Sequence, residues 1–290
     1  MIGTTIVVGS FFHKSKMRKL PSVNLILFFI TLLTTLIAGA LQRGINPLEN
    51  PLSLWKGIPF SFTLMMILGA HEFGHYFMSK RHHIDATLPY FIPAPSFIGT
   101  FGAFIKMKSP IMDRRTLLDV GAAGPLAGMI VAVPVLFVGL ILSEIVPGTR
   151  EGGINLGTSV FFSLLNWLAR GVMPEDTNLI LHPIAFSGWI GLLVTCMNLL
   201  PVGQLDGGHV AYAILGSKQR ILARAILVLL IVLGITGWNG WLVWAVILLF
   251  MGLDHPPLVY EWIPLDKKRK TIGWITLVLF VMTFTPVPFR

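Results

Sequence analysis

Residues 58–79 read IPFSFTLMMILGAHEFGHYFMS, an apolar run whose end contains two histidines and a glutamate. The run has the roughly 20 residues that a helix needs to cross the hydrocarbon core of a membrane. His71, Glu72 and His75 lie in its last turns, and ionisable side chains are costly inside a bilayer. The stretch therefore predicts a transmembrane helix that carries a functional site.

The rest of the chain resembles this stretch in composition. Of its 290 residues, 54% are hydrophobic and 12% are charged, against about 25% charged residues in soluble domains. The apolar run nearest the N-terminus, residues 21–41, is longer than the 7–15 residues of a signal-peptide core. This length favours a retained helix over a cleaved signal peptide. We predict an all-α polytopic membrane protein with about six to seven transmembrane helices. The other predicted spans are 21–41, 117–142, 184–203 (continuing as helix to about 215), 221–236, 239–254 and 272–288.

The formal charge of +9 follows from the way basic residues are distributed between the spans. Seventeen of the 22 Lys and Arg lie before the first span, between the second and third, after the fourth, or before the last. Basic residues concentrate in cytoplasmic loops, so the N-terminus is predicted to be cytoplasmic. This distribution explains the positive net charge, so the charge does not indicate nucleic-acid binding. We therefore expect no nucleic-acid partner. Because no Arg- and Ser-rich leader precedes the first span, the expected location is the cell membrane of a prokaryote, with an organelle as the alternative for a trimmed chain.

The residues His71-Glu72-Phe73-Gly74-His75 form an H-E-x-x-H pattern. Helix positions i and i+4 share a face, so both imidazoles can bind one zinc ion while Glu72 lies beside it as a general base. The alternative is a chance pattern whose polar groups turn toward the lipid headgroups. His71 and His75 lie about 13 and 7 Å beneath the end of the helix at Lys80. That depth favours metal binding.

A catalytic zinc ion usually has three protein ligands, and Asp206 is the candidate for the third. It lies in NLLPVGQLDGGH, residues 198–209, where Pro and Gly interrupt the helix and free backbone groups. Its position in the inner half of the fourth span can be level with the two histidines. The alternative is a carboxylate at a loop boundary that faces the cytoplasm.

The single cysteine, Cys196, excludes a cysteine-based zinc or iron–sulfur site and any internal disulfide.

With HEFGH in one span and NLLPVGQLDGGH in a later one, the chain resembles the site-2 protease family of intramembrane zinc metalloproteases. A further similarity lies in GPLAG, residues 124–128, where Gly128 stands at a position that is often Asn in the family. The resemblance implies zinc ligation by His71, His75 and Asp206, with Glu72 as the catalytic base. It also implies that Asn198 contacts the substrate backbone or the developing oxyanion.

The resemblance also implies an organisation and partners. We expect one integral membrane domain over 1–290, with a catalytic core at about 58–215 and additional C-terminal spans at 216–290. The chain resembles minimal members without a PDZ domain or a CBS pair, including a group related to the chloroplast-type proteases of plants. The expected cofactor is Zn²⁺, and the expected partners are the lipid bilayer and a membrane protein substrate with a transmembrane segment. The active site is expected to open toward the cytoplasm, and the oligomeric state is not predicted.

Segment 88–108, LPYFIPAPSFIGTFGAFIKMK, is too interrupted by Gly, Ser and Pro to be a spanning helix. We predict a short β-hairpin or re-entrant loop near the metal whose strand edge pairs with an extended substrate. Gly99 and Gly102 are the positions expected to allow a close backbone approach. The alternative is an amphipathic loop that rests on the membrane interface.

Three other groups of polar residues have structural explanations beside functional ones. His82 and His83 are expected to form a cytoplasmic cluster that faces lipid headgroups. Asp254 and His255 precede two prolines and indicate a helix end, with a second metal site as the alternative. His209 is expected either beside the metal ligands or in contact with water.

Two functional alternatives to an active protease remain. A membrane metal-ion transporter would use the same His and Asp cluster for a travelling ion, although its ligands are expected along a path through the bilayer. A non-cleaving relative would bind zinc and substrate only, and the presence of Glu72 argues against it.

Overall fold

The structure is a computed structural model that describes residues 22–47, 49–148, 154–174 and 176–289. Lys14, Lys16, Arg18 and Lys19, used above for the orientation, lie outside these residues, as do Arg150 and Arg290. The helices are α1 (Ser22–Leu41), α2 (Ile58–Arg81), α3 (Arg114–Ile141), α4 (Val160–Arg170), α5 (Pro183–Asn198), α6 (Asp206–Leu215), α7 (Gln219–Thr236), α8 (Gly240–Met251) and α9 (Lys267–Thr283). The strands are β1 (Tyr90–Pro93), β2 (Thr100–Phe104), β3 (Glu144–Pro147) and β4 (Thr177–Ile180).

Four helical segments are long and apolar enough to cross a membrane: α1, α2 with the 3-10 turn before it, α3, and the continuous segment from α6 to α7. Helices α5 and α8 are shorter apolar helices. The 16 residues of α5 correspond to about 24 Å, less than the roughly 30 Å of a hydrocarbon core. A mostly helical protein with four candidate membrane spans among the described residues is therefore confirmed, while the count of six to seven spans stays a prediction.

The helix that begins near residue 184 does not run unbroken to 215, and the interruption expected from Pro and Gly within residues 198–209 is present. Helix α5 ends at Asn198, and α6 begins at Asp206. Pro201 lacks a backbone N–H, and Gly203 adopts φ +55°, so the intervening turn leaves the helical conformation. Instead, α6 continues through a short 3-10 turn into α7. This break puts Asp206 at the beginning of a helix.

Helices α2, α3 and α5 pack tightly around the centre of the protein. Gly139 and Gly188 let α3 and α5 approach each other, because a Cβ at either glycine would come within 3 Å of the opposite backbone. Between α2 and α5, the hydroxyls of Thr63 and Ser187 form a buried 2.5 Å hydrogen bond. Small residues and polar contacts of this kind hold helices together where lipid removes the hydrophobic drive to associate. The result is a rigid support for residues near the end of α2.

The segment between α2 and α3 contains an antiparallel hairpin of β1 and β2, with Tyr90 opposite Phe104. Its turn rests on α1, where the Thr34 hydroxyl donates a 2.6 Å hydrogen bond to the Gly99 carbonyl. Asn24 on α1 donates to the carbonyls of Leu88 and Pro89. Helix α1 therefore anchors the hairpin beside α2.

Helix α3 begins at a side-chain cap after this segment. The Asp113 carboxylate accepts hydrogen bonds from the backbone N–H groups of Arg115 and Thr116 and from the Thr116 hydroxyl. Partial burial opposes the charged form of Asp113, but these hydrogen bonds outweigh it and hold the pKa of Asp113 below its usual range. The cap fixes where α3 starts and so the register of its glycines beneath α2.

Candidate metal centre

Three side chains from two distant parts of the chain meet at one point. His71 and His75 lie one turn apart on α2, and Asp206 is the first residue of α6. The two Nε2 atoms are 3.2 Å apart, and Asp206 Oδ2 lies 3.2 Å from His71 Nε2 and 3.1 Å from His75 Nε2. The two imidazoles are nearly completely buried, with 3% and 7% of their surfaces exposed.

This donor set fits a small cation. A tetrahedral zinc ion with bonds of about 2.0–2.1 Å separates its ligand atoms by about 3.3 Å, close to the three distances observed here. His75 Nδ1 lies 2.8 Å from the Val120 carbonyl, which can only accept. Its proton is therefore on Nδ1, and Nε2 offers a lone pair to the centre. Lone pairs of His75 and Asp206 that face each other in a buried site favour a positive ion between them.

Three glycines of α3 leave room for the histidines. A Cβ at Gly124 would overlap His75 Nε2, and one at Gly128 would lie 3.3 Å from the Cβ of His71. Gly121, one turn earlier, would in the same way crowd His209. Side chains three and seven positions apart lie on one face of a helix. This face of α3, which we call the glycine face (Gly121, Gly124, Gly128), is the wall against which the histidines pack.

Glu72 is buried beside the ligands, with 6% of its surface exposed. The backbone of Ile105, just beyond β2, lies close enough to the carboxylate of Glu72 to interact with it. Glu72, the two histidines and Asp206 line a cavity of about 210 Å³ together with Ala103 and Phe104 of the hairpin and with Asn198, Gln204 and His209. Glu72 thus lies between the group of His71, His75 and Asp206 and the hairpin.

Residues 59–235 match the family model of Peptidase family M50, more than half of the chain and all of the residues that form this centre. The chain belongs to peptidase family M50. It is 31% identical to the probable zinc metalloprotease EGY2, chloroplastic, of Arabidopsis thaliana over 86% of this chain and 46% of that protein. The probable zinc metalloprotease EGY1, chloroplastic, of the same plant is 30% identical over 79% of this chain and 43% of that protein. The chain spans about half the length, or slightly less, of these curated relatives, and no solved structure matches it.

Other residues singled out in this M50 chain lie at different distances from the centre. Asn198 is next to it, with Nδ2 3.2 Å from His71 Nε2. Gly99, with φ +81°, packs against the backbone of Thr34 at the far end of the hairpin. Gly102 has φ +101° and open space where a Cβ would be, two residues before Phe104 of the cavity wall. The close approach at Gly99 is therefore to the chain's own α1.

The remaining polar groups form internal contacts. His82 Nε2 lies 2.9 Å from Asp119 of α3, which also binds Arg269 of α9. His255 is buried and lies against His209. Within the residues that the structure describes, His71, His75 and Asp206 form the one group of three arranged to hold a metal. The structure therefore does not support a second metal site at Asp254 and His255 within these residues.

Sequence reasoning missed several residues of this M50 centre. Val120 and Ile105 act through backbone atoms, which leave no signal in a sequence. Asp119, which lies outside the centre and binds His82 and Arg269, was also missed, although an acidic residue at the start of an apolar run is a visible signal. The spacing of Gly121, Gly124 and Gly128 is visible as well, but its meaning depends on which helix packs against it.

Proposed function

We propose that the chain is a zinc metalloendopeptidase that hydrolyses a peptide bond in or near a transmembrane segment of a membrane protein. The observation that carries the proposal is the meeting of His71 Nε2, His75 Nε2 and Asp206 Oδ2 within 3.2 Å of one another, with Glu72 buried beside them. Membership of peptidase family M50 supports the same chemistry. The catalytic core proposed for it is about 58–215, within a single membrane domain.

Zinc held by these three ligands would supply Lewis-acid polarisation of the scissile carbonyl and would lower the pKa of a water molecule from about 15.7 toward 7. Glu72 then accepts the proton of the attacking water and passes it to the leaving amine. The amide of Asn198 donates a hydrogen bond to the substrate carbonyl oxygen, whose negative charge grows as the bond is attacked. Burial of His71, Glu72 and His75 strengthens their electrostatic effect.

The hairpin holds the substrate in this proposal. A peptide bond in a helix is shielded from attack, whereas a strand added to a sheet edge is extended and open to the cavity. Ala103 and Phe104 of β2 line the cavity, and Ile105 touches Glu72. Segment 88–108 therefore guides an unwound substrate past the base, with Gly102 as the position where the two backbones come close.

The site is proposed to open toward the side of the membrane that carries most of the basic residues, the cytoplasm in a prokaryotic cell membrane. Hydrolysis there releases a soluble fragment of the substrate, the usual outcome of regulated intramembrane proteolysis. The relatives described above carry chloroplast names, and a chloroplast membrane is the alternative location.

Cleavage of a defined substrate by the detergent-purified protein tests the proposal. The substrate is a model protein with one transmembrane segment, and the variants are wild type and Glu72→Gln. We expect wild type to cut, to stop when zinc is chelated and to recover when zinc is returned, while Glu72→Gln loses at least about 1,000-fold in rate. Cleavage that survives in Glu72→Gln would overturn the proposal. Zinc flux into proteoliposomes that equals wild type in Glu72→Gln, without cleavage by either, would indicate the transporter instead.

A further inference from the structure

Two histidines outside the ligand set contact each other at the edge of the cavity. His209 lies on α6, three residues after Asp206, and lines the cavity. His255 lies in the connection between α8 and α9, where only 4% of its surface is exposed. The His209 Nδ1 and His255 Nε2 atoms are 2.9 Å apart.

The hydrogen bonds around this pair fix which nitrogen of each ring carries the proton. His255 Nδ1 lies 2.7 Å from the Pro256 carbonyl, and a carbonyl can only accept. The His255 Nδ1 proton is therefore donated to Pro256, and His255 Nε2 is an acceptor in the neutral ring. Burial lowers the pKa of His255 and favours this neutral form, although the hydrogen bond to Pro256 partly opposes it.

It follows that His209 donates from Nδ1 to His255 and keeps a lone pair on Nε2. Among the described residues, no protein group hydrogen-bonds to His209 Nε2. The ring itself is one of the residues that line the cavity with Glu72 and Asp206. His209 Nε2 is therefore a hydrogen-bond acceptor at the cavity wall. His255, which does not line the cavity, determines that the proton of His209 is on Nδ1.

An extended substrate needs such an acceptor. When a strand pairs with β2 through one edge, the backbone N–H groups on its other edge point away from the hairpin. A backbone N–H that is removed from water and left without an acceptor is strongly unfavourable. Asn198 at the end of α5 and Gln204 in the turn after it also reach the cavity. Both side chains are amides, which can donate as well as accept.

We propose that His209 is a substrate-binding residue whose Nε2 accepts a hydrogen bond from a backbone N–H of the extended substrate, and that His255 is the positioning residue that holds it in this tautomer. This proposal rests on the peptidase function proposed above. It adds to that function the residue that would bind the backbone of the substrate strand on the edge that does not pair with β2.

His255 is well held for this role. Its backbone N–H faces the side-chain oxygen of Gln219, a fully buried residue that also donates to the carbonyls of Pro201 and Leu253. Tyr212 stacks on the imidazole with ring centroids 4.4 Å apart. The connection carrying His255 is therefore tied both to the turn before Asp206 and to α6.

Binding of an uncleaved probe separates this proposal from the peptidase function. The probe is a fluorescein-labelled peptide with one transmembrane segment of about 20 residues and a Gly-Pro pair in its cytoplasmic half. Its Kd is measured by fluorescence anisotropy for purified Glu72→Gln protein, alone or combined with His209→Asn or His209→Gln. The Gln side chain puts an acceptor oxygen near the position of His Nε2, whereas Asn reaches only the position of Nδ1.

We expect His209→Asn to raise the Kd about tenfold, the effect of one lost hydrogen bond to a buried polar group, and His209→Gln to raise it no more than about threefold. Both variants should keep one zinc ion per chain. His182→Asn is the matched control, because His182 caps the other end of α5, about 24 Å of helix away from Asn198, and its Kd should equal that of the parent. Equal Kd values for the Asn and Gln variants, or loss of zinc from either, would overturn the proposal.

The role of His255 has its own readout. His255→Phe removes the acceptor for His209 Nδ1 and lets the ring take either tautomer, so the Kd should rise about threefold or more. His255→Gln restores an acceptor and should recover most of the binding. A probe that binds with this pattern but is never cut by the chain with Glu72 intact would leave the His209 assignment standing and would refute the peptidase function alone.

Discussion

At the scale of single residues, the two histidines of the centre were predictable, because a spacing of four on a helix puts both on one face. Asp206 was predictable from its motif and its depth in the membrane. The glycine face of α3 was not, because nothing in residues 121–128 states which helix packs against it. Likewise, the proton on His75 Nδ1 is fixed by the backbone carbonyl of Val120, which no side-chain pattern records.

Gly124→Ala tests the glycine face. The added Cβ would overlap His75 Nε2, so the imidazole must move out of the ligand position. We expect zinc affinity to fall about 10- to 100-fold, the range seen when a contact that orients a metal ligand is lost. Competition with a chromogenic zinc chelator measures it.

Gly69→Ala is the control for this substitution. Gly69 lies in α2, the helix that carries His75, and apart from its own helix backbone no atom comes within 4 Å of the position of its Cβ. Zinc affinity should be unchanged in that variant, and helix propensity favours Ala over Gly. If Gly124→Ala held zinc as tightly as wild type, the packing account would be wrong.

At the scale of elements, helices α1, α2 and α3 begin and end within three residues of the apolar runs from which they were predicted. Continuous apolar runs bounded by polar residues define such boundaries well. The break between α5 and α6 was indicated by Pro201 and Gly203 but its extent was not, because a turn of seven residues is held by tertiary contacts such as that of Gly203 N–H with the Leu253 carbonyl. Helix α9 starts five residues earlier than predicted because Asp266 caps it and its basic residues are helical.

Asp119 connects three elements, and its replacement should loosen them together. Its carboxylate, with 13% of the side chain exposed, binds His82 at the end of α2 and both Nε and Nη2 of Arg269 on α9. We expect Asp119→Asn to cost about 1–3 kcal/mol of stability, or about 3–8 °C in apparent melting temperature. Tryptophan fluorescence during heating in detergent measures it.

Asp85→Asn is the matched control for this substitution. Asp85 pairs with Lys80, but its side chain is 73% exposed, so the change should stay within about 0.5 kcal/mol. A melting temperature for Asp119→Asn that equals the Asp85→Asn value would contradict the role given to Asp119.

At the scale of the whole molecule, the exposed surface is apolar where the spans lie. Phe29 on α1, Ile130 on α3 and Phe250 on α8 are 61%, 74% and 88% exposed. Large apolar side chains exposed in this number suit contact with lipid and not with water. The class of protein was predictable from composition alone, whereas the path of the chain through the membrane depends on helices α5, α8 and α9, whose lengths do not decide it.

Thiol labelling in intact cells tests the proposed orientation. Asp85 lies in the connection between α2 and α3, and Glu144 lies just after α3 ends. Both residues are exposed, and each is replaced by Cys in a Cys196→Ser background. The distribution of basic residues predicts that a membrane-impermeant maleimide labels position 144 and spares position 85 until the cells are opened. Labelling of position 85 alone in intact cells would show that the proposed orientation is wrong and that the opposite one holds.

The zinc content of purified variants tests the central claim, that His71, His75 and Asp206 hold the metal while Glu72 acts on the proton. Wild type, Glu72→Gln and Asp206→Ala are purified in detergent, passed over a mild chelating resin and measured by elemental analysis. We predict about one zinc ion per chain in wild type and in Glu72→Gln, and less than about one tenth of that in Asp206→Ala, because two ligands from one helix do not retain a catalytic zinc ion. Full zinc in Asp206→Ala, or none in wild type, would contradict the account.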